Sequence, residues 1–146
     1  MKKIISLSLS LILTAFVFSL SLIPGETSGG QSLLIAETVK RIIDSIFPDW
    51  ELPLLLVHQF VRKGAHVAEY FLLGASWLIT FRLFSIKIIL FPLLGTVIAL
   101  ADEAFQLLAI DRGPSLFDAF VFDLPGFLFG GFISFFLANP KKAGLA

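Results

Sequence analysis

The chain has 146 residues, 57% of them hydrophobic and only 15% charged, with a mean hydropathy of +0.93. Soluble domains carry about a quarter charged residues, so the composition points to an integral membrane protein forming a single domain over 1–146. A formal net charge of zero removes any whole-protein case for nucleic acid, and the lack of cysteine excludes disulfides, thiolate metal sites and cysteine nucleophiles.

Two lysines open the chain and an uncharged stretch follows from Ile4 to Ile23. About twenty apolar residues cross a hydrocarbon core, and no small-x-small cleavage site precedes Gly25, so a retained span over 4–23 is expected rather than a signal peptide. "PGETSGGQS" carries turn chemistry. After it, Val39, Ile42, Ile43, Ile46 and Phe47 recur at helical spacing, with Glu37, Lys40, Arg41 and Asp44 on the other face. Glu37–Arg41 and Lys40–Asp44 are spaced to pair. This is either an amphipathic helix on the membrane surface or an extramembrane helix packed on the bundle. Pro48 and Pro53 then bracket a turn, and Leu54 to Val61 either joins the next span or forms its own short piece. Further spans are expected over 64–84, 86–108 and 116–138. The predicted fold is all-α: a polytopic helix bundle of four spans, with an outer-side segment at 24–63.

With a cytoplasmic N-terminus, the inner side holds Lys2, Lys3, Arg82, Lys87, Lys141 and Lys142, six of the eleven Lys and Arg. The positive-inside rule favours that orientation, with both termini cytoplasmic. All acids then fall on the outer side or in the outer half of a span.

At that level three spans carry unusual side chains. Arg62, His66, Glu69 and Leu73 form one stripe, with Tyr70 beside His66. Asp102 and Gln106 share a face, and Glu103 lies about 100° round the helix. Arg112 follows in the loop, and Asp118 and Asp123 enter the last span about 140° apart, so a distortion, for which Pro125 is the candidate, is needed to aim both inward. Facing lipid each would be costly, so they are expected to face a shared outward pocket, paired with Lys63, Arg62 and Arg112. Gly126 and Gly130 form G-x-x-x-G, read as close packing on a neighbouring span in preference to a dimer face. His58 is assigned to packing or the interface.

His66, Glu69, Asp102 and Glu103 are ligand types for a divalent ion, but no compact ligand spacing exists, so neither a metal nor another cofactor is expected. Glu69, Glu103 and His66 are the candidates for acid–base catalysis. No nucleophile elbow or phosphate-cradling loop accompanies them.

Three segments in this order, "RKGAHVAEYFLLG", "DEAFQ" and "DRGPSLFDAFVFDLPGFLFGG", resemble the VanZ-like family of bacterial membrane proteins, and the likeness covers nearly the entire chain. "SLSLIPGETSGGQS" is similar to the family's polar segment after its first span. The resemblance implies a bundle of four or five helices in the bacterial cytoplasmic membrane. It also implies a link to teicoplanin, a glycopeptide with a fatty-acyl tail. By motif, the family's characteristic positions fall on Lys63, His66, Glu69, Tyr70, Asp102, Glu103, Gln106, Arg112, Asp118, Asp123 and Gly126. Val67 departs from the family's frequent aromatic, and "AIDRGPS" from its frequent Pro-Gly-Arg. The function expected is handling of an amphiphile, such as a lipid-linked precursor, a phospholipid headgroup or a lipoglycopeptide, in the outward pocket. Alternatives are an intramembrane hydrolase or transferase using Glu69 or Glu103 as base, and a structural subunit of an envelope complex. A transporter is disfavoured because nothing polar continues through the inner half of the spans. The oligomeric state is open.

Overall fold

A computed structural model describes residues 1–137. Among the described residues there are five helices: α1 (Lys2–Ser21), α2 (Gly25–Ile46), α3 (Leu54–Phe84), α4 (Leu90–Gln106) and α5 (Leu116–Leu137). No strand occurs among the described residues. Three helices, α1, α3 and α5, are long and apolar enough to cross a membrane. Their outward-facing side chains include Leu9, Ile12 and Phe16 on α1, Leu72 and Ile79 on α3, and Phe129 and Phe132 on α5, all exposed. Apolar surface on this scale is stable only against lipid or another apolar partner. These helices point to a membrane protein.

The boundaries differ from the sequence reading in two places, and the open choice for Leu54 to Val61 is decided. The "PGETSGGQS" segment is helical from Gly25 onward, not a turn. Pro24 supplies the helix entry, and the Gly25 amide is tied to the Ile110 carbonyl at 2.9 Å, so tertiary contact overrides local turn preference. Leu54 to Val61 belongs to α3, making one helix of 31 residues. At 1.5 Å per residue it is about 46 Å long, well beyond a hydrocarbon core of about 30 Å. The third expected span, 86–108, contracts to the 17 residues of α4 because Ser85, left-handed at φ 57°, ends α3 and the chain then turns through Ile89. Within α2, Lys40 and Asp44 pair at 2.8 Å, but Arg41 bonds to the Glu37 carbonyl and the Thr38 hydroxyl, not to the Glu37 carboxylate. The last residue of the 116–138 span, and Lys141 and Lys142, lie outside the described residues.

α3 and α5 form the closest pair. Gly74 lies against the backbone of Phe127, and Gly130 against the backbone of Phe71, so that a Cβ on either glycine would overlap the facing chain. Gly126 likewise meets the Val67 carbonyl and the Tyr70 side chain. The G-x-x-x-G therefore serves packing within the bundle. Phe127, fully buried, stacks on Phe91 at 4.6 Å, and Phe81 meets Phe91 edge-on at 5.6 Å. Between α1 and α3 runs a hydroxyl seam. Ser10 bonds Ser76 at 2.8 Å and Thr80 at 2.9 Å, Ser6 bonds Thr80 at 2.7 Å, and the Trp77 indole donates to Thr14 at 3.0 Å. The half of the bundle that the sequence reading left without polar groups thus holds some, but these hydroxyls satisfy one another. That closed seam offers no polar path.

Candidate functional site

The polar residues gather where the C-terminal ends of α1 and α4 meet the start of α5, beside the middle of α3. The local sequence explains each position. α1 presents Ser6, Ser10, Thr14, Val17 and Ser21 to α3 and α4 at steps of three and four. Its last residue, Ser21, donates to Asp102 Oδ1 at 2.5 Å. On α4, Asp102, Glu103 and Gln106 are all buried. Glu103 accepts from Gln106 Nε2 at 3.4 Å and from the Ser115 amide at 2.5 Å. Ser115 also caps α5, its hydroxyl accepting from the Asp118 amide at 3.2 Å. Glu103 therefore rests against the positive end of α5, where a carboxylate is favoured.

α5 begins irregularly. Ala119–Asp123 forms a π turn, closed by the Leu124 amide bonding to the Ala119 carbonyl. Pro125 has no N–H and cannot donate to the Val121 carbonyl as an α-helix requires, so the wider register relieves that vacancy. The distortion expected at Pro125 thus takes the form of a widened turn. Its effect is to seal Asp123 inside the bundle while Asp118 stays at the rim.

Asp123 meets His66 of α3, Nδ1 and Oδ1 standing 3.3 Å apart without the alignment of a hydrogen bond. His66, Asp102 and Asp123 each offer one donor atom, and these lie within 4.8 Å of one another. Both oxygens of Asp123, Oδ2 of Asp102 and the hydroxyl of the fully buried Tyr70 have no hydrogen-bond partner. The sequence brought these four residues to one level. The fold brings them to one point.

Of the expected cation–acid pairings, Lys63 meets the rim acid Asp118, whereas Arg112 turns to other oxygens. Lys63 lies 3.7 Å from Asp118 and 4.5 Å over the Phe122 ring. Arg112 donates to the Leu20 carbonyl at 2.9 Å and to the Ser28 hydroxyl at 3.1 Å. Leu20 belongs to the last turn of α1, whose negative dipole end attracts a guanidinium, and its carbonyl accepts from Arg112 in addition to the Ile23 amide. Burial, and then the nearby Arg62, pull Arg112 below the usual arginine range. Among the described residues, no Lys or Arg forms an ion pair with Glu69, Asp102, Glu103 or Asp123.

Two polar chambers flank the cluster. One, of about 280 Å³, is lined by Lys63, His66, Glu103, Gln106, Arg112 and Asp118, among others. The second, of about 240 Å³, lies toward α1 and α2 and includes Ser21, Glu69 and Arg112 in its wall; His66 faces both. Glu69 is thereby separated from Glu103. A larger apolar groove of about 770 Å³ runs along α3 and α5, lined by Phe60, Val67, Phe71, Leu72 and Phe129. Gln59, Lys63 and Phe122 belong to both the groove and the first chamber. His58 bonds Ser32 at 2.7 Å and joins α3 to α2. Ser21, Ser28 and Ser115 were missed by sequence reading. For Ser21 the signal was present in the helical repeat of hydroxyl residues along α1. No known family model, curated protein or solved structure matches the chain.

Proposed function

We propose that this is a VanZ-like integral membrane protein of the bacterial cytoplasmic membrane that receives an amphiphile at its outer face. The observation that carries the reading is the junction of a polar chamber with an apolar groove at Lys63 and Phe122. A polar head entering the chamber meets Lys63, Arg62 and Arg112, while an acyl tail fits the groove beside Phe71 and Leu72. In this reading α4 is a fourth, short span and α2 lies along the outer surface, with exposed Ile42, Ile46 and Phe47 toward lipid. Both termini are cytoplasmic, by the distribution of basic residues. Teicoplanin, with its glycopeptide head and acyl tail, has the required chemistry, as do lipid-linked wall precursors.

The test is binding of teicoplanin, and of its deacylated core, to the purified protein in detergent, followed by thermal shift and native mass spectrometry. Acylated ligand should bind and the core should bind far more weakly. Phe71→Trp, which fills the groove, should weaken the acylated ligand alone. Equal binding of both compounds would remove the groove from the proposal. An enzymatic reading favours Glu69 over Glu103, since both Glu103 oxygens already accept hydrogen bonds and those of Glu69 do not.

A further inference from the structure

We infer that His66, Asp102 and Asp123 form a binding site for a divalent metal ion of borderline-to-hard character, such as Zn²⁺ or Mn²⁺. The inference rests on side chains other than the Lys63, Arg62 and Arg112 that would meet the head group, with His66 alone also lining that chamber, and it does not depend on the amphiphile reading.

Three observations lead there. First, the donors come from three different helices, α3, α4 and the π turn of α5, and converge to within 4.8 Å. An ion with bonds of about 2.1 Å holds tetrahedral neighbours about 3.4 Å apart. The His66 Nδ1 to Asp123 Oδ1 separation of 3.3 Å already meets that spacing. Asp102, within 4.8 Å of the other donors, closes the set with a movement of up to about 1.4 Å at its carboxylate.

Second, the carboxylates lack aligned hydrogen-bond partners, and the side chain facing Asp123 is His66 itself, 3.3 Å away. Asp123 is wholly buried with both oxygens unpartnered, and Asp102 is 1% exposed with one oxygen unpartnered. Burying an unpaired carboxylate costs several kcal/mol, which is why buried carboxylates pair, coordinate metals or lose their charge. No lysine or arginine among the described residues pairs with either. The independent witness is Tyr70, not an acid and fully buried, whose hydroxyl beside Asp102 also has no partner. Tyr70 is available as a further donor, or to orient Asp102.

Third, the supporting contacts resemble those of a ligand set. Ser21 fixes the other oxygen of Asp102, which leaves Oδ2 for the ion. Two carboxylates and one neutral imidazole carry the charge that balances a divalent cation. Nitrogen and oxygen donors without sulfur suit zinc or manganese. The 26% exposed side chain of His66 faces both polar chambers, which gives the ion an entry path and leaves an open coordination position on that side.

The experiment uses the full chain, purified in detergent through chelator, then exposed separately to Mn²⁺ and Zn²⁺ and desalted. Retained metal is measured by inductively coupled plasma mass spectrometry, and thermal unfolding with and without EDTA. The wild type should retain a single ion per chain and melt higher when loaded. His66→Gln and Asp123→Asn should lose retention by at least about tenfold, while Asp44→Asn on α2 retains it. Freed of the need for a cation, Asp123→Asn should melt in EDTA at least as high as EDTA-treated wild type. If Asp123→Asn does not fold, the partly exposed His66→Gln carries the retention test. Failure of wild type to retain either ion overturns the site, in favour of a direct His66–Asp123 contact as the whole of the arrangement. Equal retention by wild type, His66→Gln and Asp123→Asn overturns it as well. Teicoplanin binding measured in EDTA separates this outcome from that of the amphiphile reading.

Discussion

Gly130→Ala tests the packing on which the site depends. A methyl added to Gly130 overlaps the backbone of Phe71, where no flexible side-chain tip can yield. α3 and α5 must separate, or α5 must turn. Overpacking of a well-filled interior costs about 1–3 kcal/mol, and a backbone obstacle places this case at the upper end. Gly130 is seven residues beyond Asp123, about 10.5 Å along the helix, so separation there also pulls Asp123 from His66. Gly29→Ala is the control, because open space surrounds that position. It should be neutral or stabilising by up to about 1 kcal/mol, since alanine favours a helix over glycine. The assay is thermal unfolding followed by tryptophan fluorescence in one detergent, with size-exclusion chromatography alongside. Gly130→Ala should melt lower by on the order of 10 °C, and Gly29→Ala should not. If Gly130→Ala melts like wild type but changes its elution volume, the glycines serve a contact between chains and the packing argument fails.

Three further substitutions probe the same region. Ser21→Ala removes the hydroxyl that holds Asp102 and should destabilise by about 1–3 kcal/mol; combining it with Asp102→Asn should recover part of the loss, and strict additivity in chemical unfolding would refute the pairing. Arg112→Lys should fail to replace arginine, because one ammonium cannot reach the Leu20 carbonyl and the Ser28 hydroxyl as a planar guanidinium does. Proteolysis of the α1–α2 junction should speed up in that variant, and an unchanged rate would contradict the clamp. Phe127→Ala empties a fully buried position stacked on Phe91 and should cost about 3–5 kcal/mol by thermal or chemical unfolding.

Much of this arrangement is legible in the sequence, for reasons that also explain what is not. Helical periodicity places Asp102 and Gln106 on one face, and His66 and Glu69 on another, without reference to any other part of the chain. Length and hydropathy likewise locate α1, α3 and α5. What periodicity does not carry is the choice of partner across helices. The natural expectation for Arg112 is a carboxylate, because charge is visible in sequence. Arg112 instead reaches the Leu20 carbonyl at the negative end of α1, but a backbone group appears in every residue and signals nothing. Asp123 shows the same limit. An α register puts it about 140° from Asp118, and a widened turn changes where it points. The turn-like "PGETSGGQS" becomes helix because its backbone is tied to the α4–α5 loop, a contact some 85 residues away in the chain.

Pro125→Ala separates the role of the π turn from ordinary helix stability. Proline inside a helix removes a hydrogen bond and costs about 3 kcal/mol in regular α geometry. The π turn before it already accommodates the missing donor, so part of that cost is absorbed in the native fold. Alanine restores an amide able to reach the Val121 carbonyl and lets Ala119–Asp123 revert to the α register. The angle between Asp118 and Asp123 would then move toward about 140°, from the roughly 50° of a fully i→i+5 bonded segment. Asp118 is held by Lys63 and by the Ser115 cap, so the rotation falls on Asp123 and carries it away from His66. The expected result is a variant that unfolds at the wild-type temperature or above it and yet retains less Mn²⁺ or Zn²⁺. Stability and site function would move in opposite directions, which a simple packing defect does not produce. A variant that loses both together, or keeps both, would show that the wide turn is not what aims Asp123.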